Sequence, residues 1–224
     1  GGDDVGVEGE HGRRAAVDME GGTVSVWLYD FGRATLTPLT TGSGSSQAPR
    51  WTADGTRLVY RGTRTGLRNL WWKGVDDAAG EERLSTSDKV QTPGSWSADG
   101  QWLAYYDADP VTGFDIWALP SGGDRKPRAV ARTSSMEASP RLSPDGRWLA
   151  YGYGVTDKTT AIRLYRLADP NATPGATPGA TEEGVGQSAI FTVTKPVLHD
   201  LNPAFDPGGN FLYFLSQREF NPVY

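Results

Sequence analysis

The sequence predicts an all-β chain, a β-propeller built from four-stranded antiparallel blades. Three observations carry that reading. A unit centred on Asp-Gly recurs as "TADGTRLVYR" from Thr52, "SADGQWLAYY" from Ser97 and "SPDGRWLAYG" from Ser143, with "DPGGNFLYFL" from Asp206 as a fourth copy. A large apolar residue precedes each copy: Trp51, Trp96, Leu142 and Phe205, spaced 45, 46 and 63 residues apart. The segments on either side of each Asp-Gly alternate in hydropathy and are rich in aromatic and β-branched residues, as strands are. A period in the mid-forties with strand–turn–strand content has the size of one propeller blade.

Each unit can be followed strand by strand. The apolar anchor closes a first strand and Asp-Gly turns the chain. A two-residue turn with positive φ favours that dipeptide, so Asp54, Asp99 and Asp145 are assigned to turn chemistry. Gly208-Gly209 keeps the turn and drops the acid. After the second strand comes a third with an aliphatic–aromatic pair: Val26-Trp27, Leu70-Trp71, Ile116-Trp117 and Leu164-Tyr165. Fourth strands are read at "ATLTPLT", "EERLSTS", "PRAVART" and "IFTVTKP". All eight tryptophans fall on repeat positions, which assigns them to the wedges between blades.

The period divides the chain. Residues 1–4 are a flexible N-terminus, and 5–45 a degenerate blade whose anchor, counted back, is Glu8. Residues 46–90, 91–136 and 137–200 are blades, and 201–224 is a partial one. The 63-residue interval holds an insertion, "DPNATPGATPGATEEGV", at 169–185; its Pro, Gly, Ala and Thr repeats cannot offset ordering by burial, so a disordered loop is expected. The count is about four and a half blades. A half blade leaves open strand edges, which propellers avoid by closing. A fragment of a larger ring is therefore the reading favoured over a closed ring of five.

Composition narrows the function. Lys and Arg number 22 and Asp and Glu 27, for a net charge of −5 without a basic cluster, which argues against a nucleic-acid partner. There is no cysteine, hence no disulfide framework or thiolate ligand. No apolar run is long enough to span a membrane as a helix. "GGDDVGVEGE" is acidic, unlike a signal peptide, and its lack of an initiator Met reads as a processed or internal start.

No catalytic constellation emerges, so the chain is read as non-enzymatic, without cofactor or metal. His11 falls in the first, degenerate turn. His199 neighbours Asp200, but adjacent residues on an extended chain point to opposite sides. No G-x-S-x-G elbow supplies a nucleophile. "DADPVTGFD", Asp107 to Asp115, begins like a calcium loop but lacks the oxygen ligand at position 5 and the glycine at position 6, so it reads as an acidic β-hairpin loop. A channel-lining hydrolase would need acids on first strands, where Arg50, Ser95, Arg141 and Ala204 stand instead. The candidate partner-facing residues lie on the interblade links: Gln47, Gln91, Glu137 and Asp200.

The pattern Pro-x-(large apolar)-(Ser/Thr/Asp)-x-Asp-Gly-x-x-Leu-x-(Tyr/Phe) resembles the WD-like repeat of TolB-type propellers. It runs from Pro49 to Tyr60 and from Pro140 to Tyr151; Pro93 to Tyr105 has one added residue, and Pro203 to Phe214 has Gly for Asp. Residues 13–138, with "VWLYDFGRATLTPLT" and "DIWALPSGGDRKPR", resemble propellers of bacterial serine/threonine kinases. Residues 139–224, with "SPRLSPDGRWLAYGYG" and "FLSQREFNPVY", resemble the N-terminal propeller of tricorn-type serine proteases. The tricorn resemblance implies a non-catalytic propeller that docks or gates peptides for a protease core, cytoplasmic, in an assembly made homo-oligomeric through that core. The TolB or kinase resemblance implies instead a periplasmic or extracellular sensor or scaffold that binds proteins.

Overall fold

A computed structural model of the chain describes residues 6–11, 14–20, 23–76, 80–156, 159–167, 190–195 and 199–217. The expected flexible start at 1–4 and the insertion loop at 169–185 lie outside them. The described strands form five antiparallel sheets. Blade one holds β1 (Gly6–His11), β2 (Arg14–Glu20), β3 (Val24–Asp30) and β4 (Thr35–Pro38); blade two holds β5 (Ser46–Trp51), β6 (Arg57–Thr65), β7 (Leu67–Gly74) and β8 (Glu82–Arg83). Blade three holds β9 (Gln91–Trp96), β10 (Trp102–Asp109), β11 (Gly113–Pro120) and β12 (Arg128–Ala131); blade four holds β13 (Glu137–Leu142), β14 (Trp148–Thr156), β15 (Thr159–Arg166) and β16 (Ile190–Thr192). Blade five is the pair β17 (Asp200–Phe205) and β18 (Leu212–Ser216). In each four-stranded sheet the strands pair in chain order, a meander. Interblade links and second-to-third-strand hairpins therefore meet at one end of the molecule, the upper end here. The Asp-Gly turns meet at the lower end.

Those turns differ from the two-residue form expected. Five residues separate β5 from β6, and the Gly55 amide donates to the Thr52 carbonyl at 2.9 Å, so Ala53 and Asp54 occupy the centre of the turn. Gly55 follows in the left-handed region at φ +67°, and Gly100, Gly146 and Gly209 repeat it at +68°, +68° and +70°. Asp54 does not take positive φ; it accepts from the Thr52 hydroxyl at 2.6 Å and the Thr56 amide at 3.0 Å. Asp145 accepts from the Ser143 hydroxyl and the Arg147 amide in the same way. The acid ties its own loop together, and Asp206 does the same for the Gly-Gly copy through the Phe211 amide at 2.6 Å.

First strands share a bulge. Ala48, Ser139 and Asn202, each just before a proline, sit at φ +54°, +54° and +51°. Blade three departs from this and places Gly94 at the bulge. A Cβ on Gly94 would lie 2.5 Å from the Pro140 carbonyl oxygen and 2.7 Å from that of Ala104, so the backbone of blade four rests against this glycine. Arg50 Nε and Arg141 Nη1, from the blades on either side, both donate to the Gly94 carbonyl at 3.0 Å. One inner-strand peptide thereby joins three blades.

The core is a series of seams. Val59, Leu70, Trp72 and Leu84 of blade two meet Trp96, Leu103, Tyr105 and Leu119 of blade three. Ala16, Val26, Leu28 and Leu39 of blade one meet Leu58 and Tyr60 of blade two, and Ala104, Ile116 and Ala131 of blade three meet Leu149, Tyr151 and Tyr165 of blade four. Blades two, three and four thus each have a leading face, bearing Leu-x-Tyr on the second strand, and a trailing face, bearing the residue between them. This is period-2 alternation used twice, since both faces are buried.

Register corrects two expectations. Tyr60 pairs with Trp71 and Tyr105 with Trp117, but Tyr151 pairs with Arg163, so the third-strand pair of blade four is Ile162-Arg163 rather than Leu164-Tyr165. In blade one, Glu10 pairs with Ala15 where Trp51 pairs with Leu58, so Glu10, not Glu8, holds the anchor position. The first hairpin is shorter than the others, and counting back by a fixed period misses that. Of the tryptophans, Trp72 and Trp96 are buried; Trp51, Trp71, Trp102, Trp117 and Trp148 are half-buried. Guanidinium groups lid several: Arg128 lies 5.1 Å from the Trp102 ring centre and Arg57 lies 4.3 Å from that of Trp72.

Candidate functional site

The four residues singled out from the links stand at or beside the starts of first strands. Gln91, Glu137 and Asp200 open β9, β13 and β17, and Ser46 opens β5, with Gln47 one residue on. Ser46, Gln91, Glu137 and Asp200 are all buried, while Gln47 is half-buried. Their bonds are internal. Gln47 Oε1 accepts from Arg61 Nε at 3.1 Å, and Arg61 reaches on to the Thr92 hydroxyl of blade three at 3.3 Å. Gln91 accepts from Ser85, and Glu137 from the Thr133 hydroxyl in the link before it. The Asp200 carbonyl accepts from the Thr160 hydroxyl at 2.9 Å, joining blade five to blade four. These residues fix the links; a partner would meet the loops above them.

The loops above blade three carry a charge cluster. "DADPVTGFD" forms the hairpin between β10 and β11, with Asp107 paired to Asp115 across it. Asp109 Oδ1 accepts from the Val111 and Thr112 amides at 2.8 and 3.2 Å and shapes the turn. Its other oxygen takes Lys89 Nζ, from the preceding link, at 2.5 Å. Arg132, from the following link, lies 3.6 Å from Asp109 and 3.3 Å from Asp115, whose Oδ2 also accepts from the Thr112 hydroxyl at 2.7 Å. The Lys89 bond and the two amides hold the Asp109 carboxyl well below the usual range. Burial pushes Asp107 up against the pull of Lys89, and burial pushes Glu137 up to about 7 against the Thr133 bonds. Asp107 Oδ1, Asp115 Oδ1 and Glu137 Oε2 are buried with no hydrogen-bond partner among the described residues. Asp109 and Asp115, paired with Lys89 and Arg132, thus couple two links to one hairpin. The sequence points to the hairpin acids and, separately, to Glu137; Lys89 and Arg132 join through the meander, which brings both links beside the hairpin.

A second feature lies at the lower end. A cleft of about 470 Å³ opens between blades two and three, lined by Asp54, Arg57, Trp72, Trp96, Asp99 and Ser121 among others. The Trp72 and Trp96 rings stack at 6.4 Å with 16° between planes. Trp72 donates to Glu82 Oε2 at 2.8 Å, and Glu82 also accepts from Arg125 at 2.7 Å. No other seam among the described residues pairs two indoles: Ala118 and Leu142 hold the corresponding positions between blades three and four. Among the described residues, no group of three or more His, Cys, Asp or Glu side chains could hold a metal ion, and no helix is long and apolar enough to cross a membrane.

No family model matches the chain. A putative tricorn-like protease C-terminal subunit of Sulfurisphaera tokodaii is 29% identical over 80 residues, covering 36% of this chain and 7% of that protein. Among solved structures, a putative TolB from Agrobacterium tumefaciens superposes with a TM-score of 0.67 at 17% identity, over 92% of this chain and 72% of the other. The tricorn protease superposes with a TM-score of 0.54 at 16% identity, over 88% of this chain and 20% of the other. The fold is the β-propeller of TolB and tricorn proteases. The chain spans under a tenth of the tricorn-like relative it matches.

Proposed function

We propose that the chain is a non-catalytic propeller module that docks peptides or proteins for a tricorn-like serine protease. The observation that carries this is the 80-residue match to a tricorn-like protease subunit in a chain whose fold is a propeller. The polar surface suits the role. Lys89 and Arg132, partly exposed and paired with the Asp109 carboxylate, set positive charge at the upper end, where two links meet one hairpin. The inner strands carry Arg50 and Arg141, which both donate to the Gly94 backbone carbonyl.

The test is a peptide array read for binding and for cleavage with the purified chain. Saturable binding without cleavage, weakened by Asp109→Asn, supports the reading. Cleavage by the chain overturns it. The rival reading, a TolB-like or kinase-linked scaffold, is favoured by the higher superposition score to TolB. Under it, folded proteins are captured and unstructured peptides are not.

A further inference from the structure

Blades two and three are internal, each with another blade on either side, and the links and hairpins at their upper end are all among the described residues. Leu67 opens β7 behind the blade-two hairpin, Val111 stands in the β10–β11 hairpin, and Met136 lies in the link before β13. All three are exposed, Val111 by 86%. Two bases alternate with them along the chain: Lys89 in the link after blade two and Arg132 in the link after blade three. Each ion pair presents its base and hides its acid. Lys89 is 24% exposed and its partner Asp109 7%; Arg132 is 38% exposed and its partner Asp115 0%. Asp88, an exposed acid beside Lys89, is offset by the exposed Arg68 in β7. The surface is held in place from within. The Asn69 side-chain amide donates to the Lys89 carbonyl at 3.2 Å, and Asp109 fixes the turn under Val111 through the Val111 amide at 2.8 Å.

We infer that the upper end of blades two and three binds an extended peptide carrying acidic and apolar side chains on one face. This rests on the docking function proposed above and names the chemistry of what is docked. Opposite charges across an interface steer the encounter and fix register, whereas a basic side chain brought onto Lys89 or Arg132 is repelled. Leu67, Val111 and Met136 flank those bases, so apolar groups beside the acids lose water on contact. An extended chain shows every second side chain to one surface, which makes the pattern Leu-x-Glu-x-Leu. A peptide suits this surface better than a bilayer does. The three apolar residues stand on separate segments with polar links between them, not on one continuous apolar face. Because hairpin and links are already formed, the ordering cost of binding falls mainly on the peptide.

The test is fluorescence anisotropy of the purified chain with three labelled peptides: Leu-Ser-Glu-Ser-Leu-Ser-Glu-Ser-Leu and its counterparts with Gln or Lys in place of Glu. The Glu peptide is expected to bind about tenfold tighter than the Gln peptide, as two partly exposed charge pairs allow, with the Lys peptide weakest and the margin shrinking at high salt. Lys89→Gln/Arg132→Gln is expected to erase the difference between the Glu and Gln peptides. Val111→Ser is expected to weaken both by about threefold, a part of the value of burying one Val. Circular dichroism confirms that each variant keeps its β signal. Peptides bound without regard to charge overturn the inference and leave the docking reading standing; so does a double variant that keeps the preference for Glu. Failure of all three peptides, while others on the array bind, again removes this inference alone. A chain that binds no peptide at all removes both. Capture of the chain by phosphatidylserine vesicles, with no binding of the Glu peptide, overturns the inference in favour of a membrane surface.

Discussion

At the scale of single residues, Gly94 is where the least substitution should do the most damage. Its carbonyl receives two arginines and its Cα hydrogens face the Pro140 carbonyl, so a methyl group has nowhere to go. Gly94→Ala is expected to cost about 2–4 kcal/mol, as overpacking against backbone does. Gly122→Ala, with nothing within 4 Å of its Cβ, should be close to neutral in the same urea titration. Glu137 makes a prediction about pH. Its carboxyl titrates at about 7 in the fold against an ordinary 4.5, with burial as the first cause. The folded chain therefore holds that proton more tightly than the unfolded chain. Glu137's contribution to stability is greatest below 4.5 and declines as pH rises through about 7. Glu137→Gln keeps an acceptor for the Thr133 hydroxyl and removes the ionisation. The variant should flatten the fall in denaturation midpoint across that window and be the more stable protein at pH 8. Asp107, shifted the same way, leaves a residual slope.

At the scale of elements, the turns test how much of each loop is glycine's doing. Gly146 sits at φ +68° in open space, so Gly146→Ala probes the left-handed backbone alone and should cost about 1 kcal/mol, near the low end of that penalty. Asp145→Ala should cost a similar amount by releasing the Ser143 hydroxyl and the Arg147 amide. Thermal midpoints of the two variants check both. These turns also mark what the sequence made legible. The dipeptide located the loop and the positive φ of its glycine, because Asp and Gly are constrained locally. It did not reveal that Asp54 would sit mid-turn as an acceptor, because that depends on Thr52 and on the length of the loop. Strand existence could be read from alternation, yet Leu164-Tyr165 and Glu8 were each placed two residues from their true register. A shift of two preserves the face of the sheet, so hydropathy cannot detect it. The sequence sets Gln91, Glu137 and Asp200 on the links, whereas the structure sets them at first-strand starts, and their burial follows from neighbouring blades that no local pattern describes.

At the scale of the whole molecule, stability should be graded along the arc. A blade's leading-face aromatic is held by the blade before it and by strands of its own sheet; among the described residues blade five has two strands where the others have four. Tyr105 is 2% exposed and belongs to the seam between blades two and three. Phe214 occupies the matching position in β18 but is only half-buried. Tyr105→Ala should therefore cost about 3–5 kcal/mol, as a large cavity in a closed seam does, and Phe214→Ala about half that. In a repeat architecture, neighbour terms rather than one global core set local stability. Amide exchange should follow the same order. The β10 amides should exchange only through the largest openings, and the β18 amides through local fraying of the end blade. Mass spectrometry of exchanging peptides reads both strands at once. If β18 is protected as strongly as β10, the end blade is held as tightly as the internal ones and the gradient is absent.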